Sequence, residues 1–283
     1  MNNEKLKDII YYIADKEQFR PGVIEKDYYL TKILNSINDN LSSNIVFKGG
    51  TLLNKVYLNY HRLSEDLDFS FDLKEDIQSK SQRSRTMKPI KEKMGDFISS
   101  LGLSAENLEG RAFNNSTQYV FYIQYDSFIT NRKENIKLEI SLRQPVLRKA
   151  EIVTIKHFYQ DPFTGENLFP YGNILALALE ECVAEKLKAA ISRLTPAIRD
   201  FYDLNHFIEN KYSFENDDFL ALVNFKLKHD SYDRDYRRNL GLTGSSITEL
   251  KRSIKTDLDP MIRTDEQFNL EDVLNYFNKL FTE

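Results

Sequence analysis

Ile45-Val46-Phe47-Lys48-Gly49-Gly50-Thr51-Leu52-Leu53-Asn54-Lys55-Val56-Tyr57, followed shortly by Ser64-Glu65-Asp66-Leu67-Asp68-Phe69, sets the fold of this chain. Ile45 to Phe47 is a β-branched and aromatic run that reads as a strand, the diglycine as a tight turn, and Thr51 to Tyr57 as a helix. Two glycines let the backbone turn sharply and approach a ligand without a Cβ. The helix after them offers free N–H groups and the positive end of its dipole, so the turn suits a phosphate. Taken alone, a diglycine after a strand is more often only a turn.

Asp66 and Asp68 stand two apart on a strand, which sends both carboxylates to one face and Leu67 and Phe69 to the other. Paired carboxylates repel, and aspartate is disfavoured in strands. Such a pair asks for a cation, and hard oxygen donors point to Mg²⁺ or Mn²⁺. The bland alternative is a solvated strand end. In Ile136-Lys137-Leu138-Glu139-Ile140-Ser141-Leu142, Glu139 lies on the polar face. If that strand pairs beside the aspartates, Glu139 completes a three-carboxylate metal site; otherwise it is an exposed glutamate beside a lysine.

Working outward, Leu6, Ile9, Ile10 and Ile13 predict a helix over 4–15, and Pro21 opens a second through Ile37, the pair covering a sheet. Further strands are expected at 119–125, 136–142 and, more weakly, 152–155, with a helix over 88–101 between them. A turn-rich segment begins at Asp161-Pro162-Phe163-Thr164-Gly165. Beyond it the periodic segments read as helices near 174–193, 196–209, 215–228, 246–256 and 267–281. The expected organisation is an α+β lobe over 1–160 and an all-helical lobe over 161–283.

The 283 residues carry a net charge of −4, which excludes a protein that coats nucleic acid indiscriminately; any such contact must be a local patch. A single cysteine, Cys182, excludes an intrachain disulfide and fits a reducing cytoplasm. The charged start at Met1-Asn2-Asn3-Glu4-Lys5 has no apolar signal core, and no run is long enough to span a membrane. Two basic stretches, Lys80 to Lys93 and Arg234 to Arg238 around Tyr232 and Tyr236, could track phosphates, although a solvated helix face is the commoner meaning of each.

In the helical part, Lys186 and Arg193 fall on one stripe lined by Ala189 and Ala190. They could neutralise a triphosphate or merely solvate a helix. Asp200 and Asp203 share a face, where the ordinary reading is pairing of Asp203 with Arg199.

Taken together, Glu25-Lys26-Asp27-Tyr28, Phe47-Lys48-Gly49-Gly50-Thr51-Leu52-Leu53, Arg62-Leu63-Ser64-Glu65-Asp66-Leu67-Asp68-Phe69, Ile136-Lys137-Leu138-Glu139-Ile140, Ala184-Glu185-Lys186-Leu187 and Arg199-Asp200-Phe201-Tyr202-Asp203-Leu204 form an ordered set. It resembles the AbiEii/AbiGii-type nucleotidyltransferase toxins, a branch of the DNA polymerase β-like nucleotidyltransferase superfamily, over roughly residues 25–210. The resemblance implies a short mixed sheet with flanking helices and a helical lobe that closes over a nucleotide. It implies NTP as substrate and a divalent metal on Asp66 and Asp68, assisted by Glu139. Phosphates would be held by Lys48, Gly49, Gly50 and Thr51, with Lys186, Arg193 and either Asp200 or Asp203 needed from the helical lobe. A tRNA 3′ end as acceptor and a cognate antitoxin as partner are implied as well. Two rival readings are nucleotidylation of a small molecule such as an antibiotic, and a non-catalytic nucleotide-binding module.

Overall fold

A computed structural model describes residues 3–73, 77 and 79–282, without the side chain of residue 39. Met1 and Asn2, part of the charged start, lie outside the described residues. The chain divides into two compact units, Met1–Ala178 and Leu179–Glu283.

The first unit opens with helices α1 (Asn3–Glu17) and α2 (Pro21–Asn40). Their apolar stripes meet in a core of Leu6, Ile9, Ile10, Ile13 and Ile24, joined by Tyr28, Tyr60, Leu63 and Tyr159. Strand β1 (Ile45–Lys48) runs into the short α3 (Gly49–Leu52), which continues as a π turn over Leu53–Tyr57. Then come β2 (Asp66–Phe71), α4 (Lys80–Ser100), β3 (Ser104–Ala105), β4 (Arg111–Phe113), β5 (Gln118–Asp126), β6 (Lys133–Ser141), β7 (Glu151–Thr154) and β8 (Asn173–Ala176). The sheet order is β3-β5-β6-β2-β1-β8-β7, with β4 also paired to β5. The sheet is mixed: β2 lies parallel to β6 and antiparallel to β1, while β1 lies parallel to β8.

Three expectations are corrected here. Helix α4 starts well before residue 88, at a capping box in which the Ser79 hydroxyl accepts from the Gln82 amide and Gln82 reaches back. Pro89 sits inside it. Secondly, residues 173–176 form a strand, not the head of a helix; a short apolar run has no period that separates the two. Because β8 adds to the sheet beside β1 and β7, the first unit runs on to Ala178, past the expected boundary at 160. Thirdly, Arg83 does not serve a phosphate-tracking face. It is buried, and its Nε and Nη2 donate to the Asn115 carbonyl at 3.0 and 2.8 Å. That bond holds a corner in which Asn114, Asn115 and Ser116 are all left-handed, with φ of 50°, 57° and 62°. L-residues adopt that region only at a cost, so the arginine is structural.

The second unit contains α5 (Leu179–Ser192), α6 (Ile198–Glu209), α7 (Asp217–His229), α8 (Gly244–Ser253) and α9 (Leu270–Thr282). Its aromatic core brings Phe214 against Tyr212, Phe219, Tyr276 and Phe277 in edge-on contacts. The buried ammonium of Lys226 on α7 donates to Glu181 at 2.7 Å and Glu185 at 3.2 Å on α5, clamping the two helices. Among the described residues, no helix is long and apolar enough to cross a membrane.

Candidate active site

The register of the sheet builds the site. Lys48 on β1 pairs with Asp68 on β2, and Asp68 pairs with Glu139 on β6; two residues along, Asp66 pairs with Lys137. Alternation puts Asp66, Asp68, Lys137 and Glu139 on one face while Leu67, Phe69, Leu138 and Ile140 go fully into the core. Glu139 therefore lies beside the aspartates, as the sequence reading required. It is not free of the neighbouring lysine, however: Lys137 Nζ donates to Glu139 Oε2 at 2.6 Å.

Electrostatics follow from this crowding. Burial, and after it the Glu139 charge, push the Asp68 carboxyl up to about 6, with Asp66 adding to the shift and Lys48 and Lys137 opposing it. Burial alone would lower Lys137, but its hydrogen bond to Glu139 and the attraction of Asp68 and Asp66 outweigh that and raise it. A carboxylate that binds a proton this readily also welcomes a cation, and the oxygen donors present suit a hard divalent ion. Among the described residues, no group of three or more His, Cys, Asp or Glu is gathered as a ready-made metal site. A metal held on this face would need Glu139 turned away from Lys137, or the aspartates alone.

The glycine turn packs against these carboxylates. Gly49 has φ +81°, and a Cβ there would stand 2.5 Å from Asp68 Oδ2. A Cβ on Gly50 would stand 2.6 Å from Arg62 Nη2 and 3.3 Å from Ser64 Oγ. So the glycines first make room for protein groups: an aspartate on one side and a buried guanidinium on the other. Arg62, 2% exposed, also donates Nη1 to the Leu63 carbonyl at 2.9 Å. It belongs to the quoted motif, but its place at the turn was not foreseen; its only sequence signal is a cation shortly before a paired-carboxylate strand. Thr51, expected to offer its hydroxyl to phosphate, donates it to the Asp66 carbonyl at 2.5 Å, tying turn to strand. Gly49→Ala combines a left-handed strain of about 1–2 kcal/mol with displacement of Asp68. Transfer activity should fall at least tenfold in a steady-state assay with only a small drop in Tm; undiminished activity would show that Asp68 need not touch the turn.

Behind the turn lies a network that the sequence reading missed. Lys55 is fully buried on the π turn, and its ammonium donates to Asp27 Oδ2 at 2.8 Å, Thr31 Oγ1 at 2.9 Å and Tyr60 Oη at 3.0 Å. Tyr159 donates to the same Asp27 oxygen at 2.9 Å. The Glu25-Lys26-Asp27-Tyr28 motif is thereby explained residue by residue. Glu25 accepts from Ser127 Oγ at 2.6 Å and the Phe128 amide at 2.9 Å, Lys26 pairs with Glu65 at 3.2 Å, Asp27 holds Lys55, and Tyr28 packs edge-on against Tyr159.

In the second unit, Lys186 on α5 bridges Asp200 at 2.8 Å and Asp203 at 2.9 Å on α6, and Arg193 Nε reaches Asp200 Oδ2 at 3.0 Å. All four expected side chains therefore meet in one cluster that bridges the two helices. Lys188, on another face of α5, pairs with Asp230. Of the second basic stretch, Arg237 is held by Asp235 at 2.9 Å, and Arg234 lies over the Tyr232 ring, 5.2 Å from its centroid.

The family model described as "Nucleotidyl transferase AbiEii toxin, Type IV TA system" matches residues 32–279, which takes in both units. The chain belongs to the AbiEii nucleotidyltransferase toxin family. It is a nucleotidyltransferase, the toxin of a type IV toxin–antitoxin system. Solved structures share the fold. MenT4, a nucleotidyltransferase toxin of Mycobacterium tuberculosis H37Rv, superposes with a TM-score of 0.66 at 18% identity, covering 98% of this chain and 89% of that one. JHP933 from Helicobacter pylori superposes with a TM-score of 0.51 at 16% identity, covering 93% and 91%. No curated protein matches by sequence.

Proposed function

We propose that this AbiEii-family toxin moves a nucleoside monophosphate from an NTP to the hydroxyl of a tRNA 3′ end in the cytoplasm, releasing pyrophosphate. The observation that carries the reading is the seating of Asp68 against Gly49, in register with Glu139 and beside Asp66 on the same face. It supports a site in which a phosphate turn and charge-collecting carboxylates act on the same atoms. Asp66 and Asp68, with Glu139 once released by Lys137, are the residues that would hold Mg²⁺ or Mn²⁺. A divalent ion bound there supplies charge stabilisation for the attacking and leaving oxygens.

The protein's own groups do the rest. Lys48, Gly49, Gly50 and Thr51 seat the phosphates, and Arg62 at Gly50 adds a fixed positive charge to that turn. Glu139 or one of the aspartates accepts the proton of the acceptor hydroxyl. In the helical unit, Lys186 and Arg193 are the candidates for neutralising triphosphate charge, and their anchoring by Asp200 and Asp203 supports a fixed position for both. The cognate antitoxin is the protein partner.

Incubating the purified protein with each α-labelled NTP, total RNA and Mg²⁺, with and without chelator, tests the reading. Expected is chelator-sensitive label in RNA with stoichiometric pyrophosphate. Label confined to small molecules would move the acceptor assignment to that class. Absence of any NTP turnover would overturn transfer by this site.

A further inference from the structure

The face that carries the carboxylates does not end at β6. Across the ladder, Asp68 pairs with Glu139, Glu139 with Val120 on β5, and Val120 with Arg111 on β4. In the next rows Lys137 pairs with Tyr122, and Ser141 pairs with Gln118, which pairs with Phe113. Alternation therefore gives Arg111, Phe113, Gln118, Tyr122 and Gln124 the same face as Asp66 and Asp68. Arg111 lies three strand steps from Asp68, roughly 14 Å at the usual spacing.

Around Val120, which is itself buried, this part of the face is partly open. Phe113 is 44% exposed, the Arg111 side chain is 54% exposed, and Tyr122, Gln118 and Gln124 are partly exposed. The Arg111 guanidinium lies over the Tyr122 ring, 5.9 Å from its centroid, and pairs with Glu106 at 3.1 Å. An ion pair this exposed is worth little and exchanges readily for another anion. Beneath Phe113, the left-handed Asn114–Ser116 corner pinned by Arg83 turns β4 back onto β5. Sustained backbone strain at that place argues that presenting β4 matters.

Half-exposed aromatic rings, an arginine stacked on one of them and side-chain amides on a flat strand surface form a platform for unpaired bases. The rings stack bases, the amides meet base edges, and the guanidinium takes a phosphate. We infer that the β6-β5-β4 face binds the single-stranded end of the acceptor RNA and leads its terminal hydroxyl to Asp66 and Asp68. The inference rests on the transferase reading above, and it places the acceptor on this face rather than on the basic stretches of α4 or of residues 234–238.

The test uses the full chain and a fluorescein-labelled, unstructured RNA 12-mer, followed by fluorescence anisotropy. Tyr122→Ala and Phe113→Ala should each weaken binding about five- to hundredfold, the range for loss of a base-stacking contact. Tyr122→Phe should keep most of the affinity. Arg111→Ala should lower the slope of log affinity against log salt by about one. Affinity for a fluorescent NTP analogue, measured in parallel, should stay within about twofold in every variant, which also reports a folded site. The inference falls if the three alanine variants bind RNA as wild type does, or if the wild type binds a duplex of the same sequence as tightly as the single strand. Failure of the transferase reading looks different: RNA binding and its loss in the variants persist, while the wild type releases no pyrophosphate.

Discussion

Asp66→Asn and Asp68→Asn should each lower nucleotide transfer by more than about a hundredfold, since even groups that only orient metal ligands are worth 10–100-fold. The substitution keeps side-chain volume and removes one charge from a crowded face. Asp68 already holds its proton up to about 6 because of burial and the Glu139 charge, so removing its charge relieves a conflict. The thermal melt in the absence of metal should therefore show no loss, and a small gain for Asp68→Asn is expected. NTP-dependent pyrophosphate release and a melt on the same preparation make the comparison. Turnover near that of the wild type with Mg²⁺ would remove these aspartates from the chemistry.

The second large effect is on stability. Lys55→Ala leaves Asp27, only 2% exposed, with its charge uncompensated. Breaking a buried pair from one side costs about 3–5 kcal/mol. For a unit of this size that is a fall of roughly 6 to 20 °C in Tm. The double variant Asp27→Leu/Lys55→Met should recover most of it, because replacing both partners by apolar groups leaves no orphan charge. A single variant that melts with the wild type would mean that the network contributes nothing. Activity should fall in the single variant too, since Lys55 follows directly on the turn that seats Asp68.

The local geometry of the candidate site was legible in the sequence because it follows from short-range rules. A β-branched run into a diglycine and two aspartates at strand spacing could be placed without knowing what lay beside them. Glu139 needed register, which sequence leaves open, and the structure supplies it. Arg62 and Lys55 could not be placed for a similar reason: their roles depend on partners brought together by the fold, Gly50 in one case and Asp27, Thr31 and Tyr60 in the other. Strand β8 was lost to the ambiguity of a short apolar run, and the start of α4 to a capping box at Ser79 that was not read. The cluster of Lys186, Arg193, Asp200 and Asp203 was foreseen as two faces of two helices but not as one bridge.

The border of the sheet at β5 is shared by two fragments, β3 of two residues and β4 of three, rather than by one long strand. Long flat borders invite copies of a chain to add on, strand to strand, and a border broken by the five residues from Glu106 to Gly110 offers no continuous ladder for that growth. The far border, β7, is four residues long and carries Ile152 with 76% of its surface exposed. Self-association at high concentration would thus begin on the β7 side, away from the carboxylates, and aggregation and catalysis are separable by where on the sheet a substitution is made.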